Sequence, residues 1–198
     1  PTDEIKRQAE AALCALNRRR HLENHFWIKD KNSQVRQMKP LKRGQLMLVT
    51  LLRYCREVWK IPARILVYKS RQIGMSTVIE ADLYLEVMKR GLNGLVVAHD
   101  LSTAQRIHEI LKRFHDHYDL PKPEIERSNK KELKFKGNEG YIEVITANKI
   151  HAARGRTIHI GHISELAFYT EGAEVMASLF QAVPDTPEST VIIETTPN

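Results

Sequence analysis

The sequence predicts an α/β fold, a mostly parallel sheet flanked by helices, preceded by a helical, lid-like subdomain. Three observations predict it. Residues 95–98 and 190–194 are near-continuous apolar runs of strand length, the pattern of parallel strands covered on both faces. Another apolar run, residues 65–68, is followed by a polar turn containing Gly74 and then by a helix-like stretch, residues 76–89, so that strand, helix and strand make a βαβ unit. The helical periodicity of residues 3–24 and of the stretch from Gly44 to Pro62 supplies the segment in front. The predicted division is residues 1–60, helical, and residues 61–198, the core.

With 198 residues, 42% hydrophobic and 28% charged, the chain can bury one large core and is not a disordered segment. A formal net charge of +7 and a pI near 9.4 favour an anionic partner such as nucleic acid. Cys14 and Cys55 lack metal-ligand spacing and read as small core residues in a reducing compartment. The longest apolar run, residues 46–52, is interrupted by Thr50 and falls short of the ~20 residues a membrane span needs. With no signal-like start, a soluble intracellular protein is expected. The chain stops just after a strand-like run, so the parent protein is expected to continue.

In chain order, residues 3–24 read as one amphipathic helix, with Arg18, Arg19 and Arg20 at its C-terminal end or on phosphate. Residues 25–41 read as an extended connector. The helix from Gly44 to Pro62 opens with Gln45, whose amide offers the donor and acceptor that adenine's edge requires. After the βαβ unit, Ser102 is the expected N-cap of a helix over 103–118. Residues 130–144 then read as a hairpin with one wet face, whose lysines Lys130, Lys131, Lys134 and Lys136 line either DNA or solvent. An apolar-rich strand, residues 157–163, ends in Ser164 and Glu165, a further helix runs over 168–183, and the strand 190–194 ends in Thr195 and Thr196.

Strand, glycine turn and hydroxyl-bearing helix start, in that order, are how backbone N–H groups are brought to a phosphate. Against G-x-x-x-x-G-K-[ST] the match is partial: Gly74 and Ser76 fit, while Lys69 stands at the first glycine and Met75 at the lysine. Three strands ending in this loop, an acid and a hydroxyl pair supply what a P-loop nucleotide hydrolase needs: backbone and cation on phosphate, a hydroxyl on Mg²⁺, a carboxylate for water and a γ-phosphate sensor.

The stretches Lys69-Ser70-Arg71-Gln72-Ile73-Gly74-Met75-Ser76-Thr77, His162-Ile163-Ser164-Glu165-Leu166-Ala167-Phe168 and Glu194-Thr195-Thr196-Pro197-Asn198 resemble the Walker A, Walker B and coupling motifs of the large terminase subunit, the DNA-packaging motor of tailed bacteriophages. The resemblance covers roughly residues 26–198 and includes Gln45, similar to the family's adenine motif. It implies a P-loop NTPase of RecA/ASCE-like type that uses ATP and Mg²⁺. Some terminases carry the Walker A lysine at the start of the loop, which matches Lys69, with Arg71 as second cation. Ser164 stands where most P-loop enzymes have an aspartate and would reach metal through water, beside Ser76. Glu165 matches the catalytic glutamate, and Thr195 and Thr196 the coupling pair. Arg154, with Arg156 as alternative, is the arginine finger entering a neighbouring subunit.

The resemblance also implies double-stranded DNA, a small terminase subunit and a capsid portal protein as partners, a homo-oligomeric ring, and the host cytoplasm as location. The family's C-terminal nuclease of ribonuclease H-like fold is expected in the parent protein, and no nuclease activity in these residues. The competing readings are a superfamily 2 helicase-like translocase, which wants a second RecA-like domain, and a non-catalytic basic DNA-binding module with a vestigial loop.

Overall fold

In the computed structural model, which describes residues 2–129, 131–153 and 155–197, the chain is built on a seven-stranded sheet. Two helices, α1 (Asp3–Leu16) and α2 (Arg18–His25), lead into a two-stranded antiparallel ribbon, β1 (Trp27–Lys29) and β2 (Val35–Gln37). Helix α3 (Arg43–Arg53) continues as a π-helical turn (Tyr54–Trp59), ended by Lys60 in the left-handed conformation. The sheet then opens with β3 (Ala63–Tyr68), α4 (Met75–Arg90), β4 (Asn93–Ala98) and α5 (Leu101–His117). Three strands follow: β5 (Ile125–Ser128), β6 (Glu132–Phe135) and β7 (Tyr141–Thr146). After a 3₁₀ segment (Ala147–Ala153) come β8 (Ile160–Ile163), a short 3₁₀ turn (Leu166–Phe168), α6 (Gly172–Ala182) and β9 (Thr190–Thr195).

The strand order is β3-β9-β8-β4-β7-β6-β5. From β3 through β7 neighbours run parallel, and β6 and β5 add an antiparallel edge. Alternate residues of the central strands feed two separate cores. Val96, Ile160 and Ile192 point into a layer made with α1 to α5, whereas Leu95, Val97, Ile163, Val191 and Ile193 face α6. Apolar runs with no polar face are what a sheet covered on both sides demands. Leu22, Phe26 and Leu52 from the N-terminal segment sit in the first of these cores.

Several local expectations are corrected. The helix over 3–24 is two helices, because Asn17 takes an extended conformation, closes α1, and caps α2 by accepting from Arg20 N at 3.0 Å. The three arginines therefore open a helix and do not sit at a helix C-terminus. Arg18 is half-buried against Asp82 and Glu86, Arg19 pairs with Glu23, and Arg20 pairs with Glu10. The connector over 25–41 contains the ribbon. Strand β3 is half-exposed, with Leu66 and Tyr68 on its outer face, because it forms an edge of the sheet.

The N-cap of α5 is Asp100, accepting from Thr103 N at 2.6 Å; a carboxylate two residues earlier does what Ser102 was expected to do. The hairpin gains β5 as a third strand, and Lys134 and Lys136 pair with Glu126 and Glu124 beside it. Lys130 lies outside the described residues. The helix expected over 168–183 starts only at Gly172, after a separate 3₁₀ turn. Cys14 and Cys55 are buried free thiols, as their sequence setting implied.

Candidate active site

β9 lies between β3 and β8, so the segments leaving the C-terminal ends of all three converge. The loop after β3 is held from its first residue, with Lys69 N donating to Thr195 O at 3.0 Å. Gln72 (φ 62°) and Gly74 (φ 76°) take left-handed conformations, and Gly74 O accepts from Val78 N to start α4. A Cβ on Gly74 would lie 3.0 Å from Gln45 Nε2, so both the turn and the approach of α3 require glycine.

Gln45 is a strut. Its Oε1 accepts from Lys42 N at 2.8 Å, and its Nε2 donates to Gly74 O at 2.8 Å and Ile73 O at 3.5 Å. The amide expected to read a base is committed to backbone. Beside it, an open groove of about 560 Å³ runs between the ribbon and the loop, lined by Lys29, Lys31, Arg36, Lys39 and Lys42 as well as Gln72, Ile73, Gly74 and Thr77. Lys31 Nζ donates to Gln72 Oε1 at 3.0 Å across it. Among the described residues Asp30 is the one acid on the groove wall, which makes it a basic channel suited to an anion.

Met75 contributes packing, its buried side chain lying where a Cβ on Gly44 would meet it at 3.5 Å. Ser70 is exposed, and Ser76 stands in the first turn of α4. The two cations of the loop part company. Lys69 is buried with Nζ 2.7 Å from Glu165 Oε1 and 3.7 Å from Glu194 Oε2, while the Arg71 guanidinium lies 5.8 Å over the ring of Phe168.

Glu165 follows β8 in a left-handed conformation (φ 58°), sparsely populated for a residue with a side chain and frequent at functional sites. Its Oε1 meets Lys69 and its Oε2 accepts from Thr196 Oγ1 at 3.0 Å. Thr195 Oγ1 accepts from Ala167 N at 3.1 Å, fixing the turn that follows Glu165. Ser164 is buried, with its N–H on Val97 O and its Oγ donating to Glu194 Oε1 at 3.1 Å. Lys69, Glu165 and Thr196 thus form one contact set, with Ser76 and Ser164 beside it.

Sequence reasoning assigned no role to Glu194, His162 or Glu80, and the structure aligns them behind the loop. Glu80 Oε1 lies 2.5 Å from His162 Nδ1, and His162 Nε2 lies 3.5 Å from Glu194 Oε1, all three fully buried. Burial works against an imidazolium, yet Glu80 and Glu194 overcome it and push His162 up to about 10. Burial likewise pushes Glu194 up, but His162, the Ser76 hydroxyl and Lys69 more than offset it, and its carboxyl is held below the ordinary range. The sequence carries no signal for them beyond an acid next to last in the strand Thr190–Thr195, which by itself marks no role.

Arg156 donates to Glu143 Oε2 on β7 at 2.6 Å, with β9, β8 and β4 between that strand and β3. Arg154 lies outside the described residues. The hydroxyls of Ser76 and Ser164 and the carboxylates of Glu165 and Glu194 form an oxygen-only donor set. Within it Glu194 Oε2 is buried without a hydrogen bond. Hard oxygen donors and an unsatisfied buried carboxylate oxygen fit Mg²⁺.

A parallel sheet with a glycine-bearing loop between β3 and α4, and a strand inserted between the loop strand and the Glu165 strand, defines a P-loop NTPase fold of RecA/ASCE-like type. Among solved structures it is the fold of bacteriophage large terminase ATPase domains. The HK97 bacteriophage large terminase superposes with a TM-score of 0.64 at 12% identity, over 88% of this chain and 36% of its own. A large terminase from a thermophilic bacteriophage, also solved in complex with ADP, gives 0.61 at 16%, over 79% and 39%. The large terminase ATPase domain of a Thermus phage, solved as a point mutant, gives 0.56 at 17%, over 81% and 66%. This chain therefore spans little more than a third of the first two of these proteins. No protein-family model and no curated protein matches the sequence. No helix among the described residues is long and apolar enough to cross a membrane.

Proposed function

We propose that this chain is the ATPase domain of a viral DNA-packaging motor, hydrolysing ATP with Mg²⁺ to translocate double-stranded DNA into a capsid. The observation that carries it is the Lys69–Glu165–Thr196 contact set at the end of the glycine loop, in a fold shared with phage terminases. Residues 1–60 serve as the lid-like part and residues 61–198 as the catalytic core. The loop from Lys69 through Thr77 takes the phosphates, and the basic groove beside Gln45 takes the rest of the nucleotide.

The chemistry follows from who holds Lys69. A triphosphate carries more negative charge than a carboxylate and draws the ammonium away from Glu165. Glu165 Oε1, relieved of its counter-charge and still held at Oε2 by Thr196, becomes the free acceptor that orients a water for attack. Thr196 thereby links the state of the γ-phosphate to β9. Ser76, and Ser164 through water, would hold Mg²⁺, which would supply neutralisation of charge on the phosphate oxygens. Arg154, or Arg156, completes a neighbouring subunit's site in a homo-oligomeric ring. The small terminase subunit and portal protein are the remaining partners, in the host cytoplasm.

Substituting Glu165 by glutamine keeps its shape and removes the acceptor charge. ATP hydrolysis is expected to fall by about two orders of magnitude or more while ATP still binds. Equal turnover in that variant sinks the assignment.

A further inference from the structure

Position 164 has a hydroxyl where the metal-side carboxylate of this fold class is expected, and a hydroxyl brings no charge to a divalent cation. The sheet supplies one from next door. Glu194 is the residue of β9 that follows Ile193, the partner of Ile163 in the β8 register, so it stands beside Ser164 and receives the Ser164 hydroxyl on Oε1. Its other oxygen makes no hydrogen bond, although the side chain is fully buried, and faces the Lys69 ammonium 3.7 Å away. The Ser76 hydroxyl favours its ionised form from the loop side. A buried carboxylate is costly unless charge and hydrogen bonds surround it. Here those surroundings are the loop lysine, the loop hydroxyl and the residue that replaces the expected acid.

Resting on the reading of this site as an ATPase centre, we propose that Glu194 is the acidic group of its divalent-cation site, relocated from β8 to β9. The relocation works because β9 lies between the loop strand and β8, so a side chain at its end is central to the site. His162 and Glu80 are positioning residues: His162, behind Glu194, compensates its charge from the protein interior, and Glu80 holds the His162 ring in place. Oε1 is taken by Ser164, and Oε2 is the atom left to meet the cation or its hydration shell.

The test is ATP binding by calorimetry, with Mg²⁺ and with EDTA, on the wild type, Glu194→Gln and Glu194→Gln combined with Ser164→Asp. The wild type is expected to lose roughly tenfold or more in affinity when Mg²⁺ is removed. Glu194→Gln should bind about as in EDTA under both conditions, to within about twofold. The double variant, with the carboxylate returned to β8, should regain the Mg²⁺ effect. A Glu194→Gln protein that keeps the wild-type Mg²⁺ dependence overturns the proposal and leaves the ATPase reading standing. Wild-type protein that binds no ATP in either condition overturns both. If Glu194→Gln alone does not fold, a folded double variant without any Mg²⁺ effect is the overturning result.

Discussion

At the scale of the residue, the two cations of the loop differ in burial and in partners. Lys69 is enclosed with Glu165 and Glu194, while Arg71 stays in solvent against an aromatic ring. Lys69→Ala is therefore expected to weaken ATP binding by about 2 kcal/mol or more, the scale of a charge-assisted hydrogen bond in a buried site. Arg71→Ala should cost under about 1 kcal/mol, as exposed cations do. Titration of a fluorescent ATP analogue separates them, and the reverse ranking would move the phosphate cation to Arg71. Gly74, Ser76, Glu165 and Thr196 could be singled out from order and residue type, and Lys69 only through the resemblance to terminases. Glu194 could not, because its importance comes from a neighbour on another strand, Ser164, that lacks a charge.

At the scale of the element, α2, the π-helical turn and α4 are tied by a buried ion cluster. Arg56 Nη1 lies 2.8 Å from Asp82 Oδ2 and 3.7 Å from Glu86 Oε1, and Arg18 contacts both acids. A linear pattern does not reveal the acids that take Arg18, which lie some 60 or more positions away. Removing one partner of such a cluster leaves an uncompensated charge. Arg56→Met is expected to lower unfolding free energy by about 3 kcal/mol, and adding Asp82→Leu to recover most of it. Urea denaturation measures both, and equal losses in the single and double variants would mean that packing, not charge, dominates there.

At the scale of the whole molecule, the buried titratable groups set the pH range of stability. Burial holds His21 down to about 3 and His115 to about 4, so the stability they confer as neutral groups is present above their unfolded value of 6.5 and is lost as pH falls below it. Burial opposes ionisation of Glu86, but Arg56 and Arg18 hold it at about 2, which adds a further loss between about 4.5 and 2. His162 works the other way. Raised from 6.5 to about 10, it stabilises fully below 6.5, and that contribution disappears as pH climbs through 10. Stability should peak near neutrality and fall on both sides by on the order of a few kcal/mol. His162→Gln should flatten the alkaline limb in urea unfolding at stepped pH; an unchanged limb would mean that the Glu80–His162–Glu194 line is uncharged.

The sequence by itself determined the class of fold. Continuous apolar runs separated by helical periodicity leave few alternatives to a covered parallel sheet, and the loop, acid and hydroxyl pair each follow a strand. Tertiary structure alone decided which strand lies beside which. Inserting β9 between β3 and β8 brought Glu194 to Ser164 and Lys69 and left the loop strand at an edge, while helix docking sent Arg18 to Asp82 and Glu86 and Arg20 to Glu10. Most of these pairings join residues far apart in the chain. They depend on strand order and helix docking, which local periodicity does not encode.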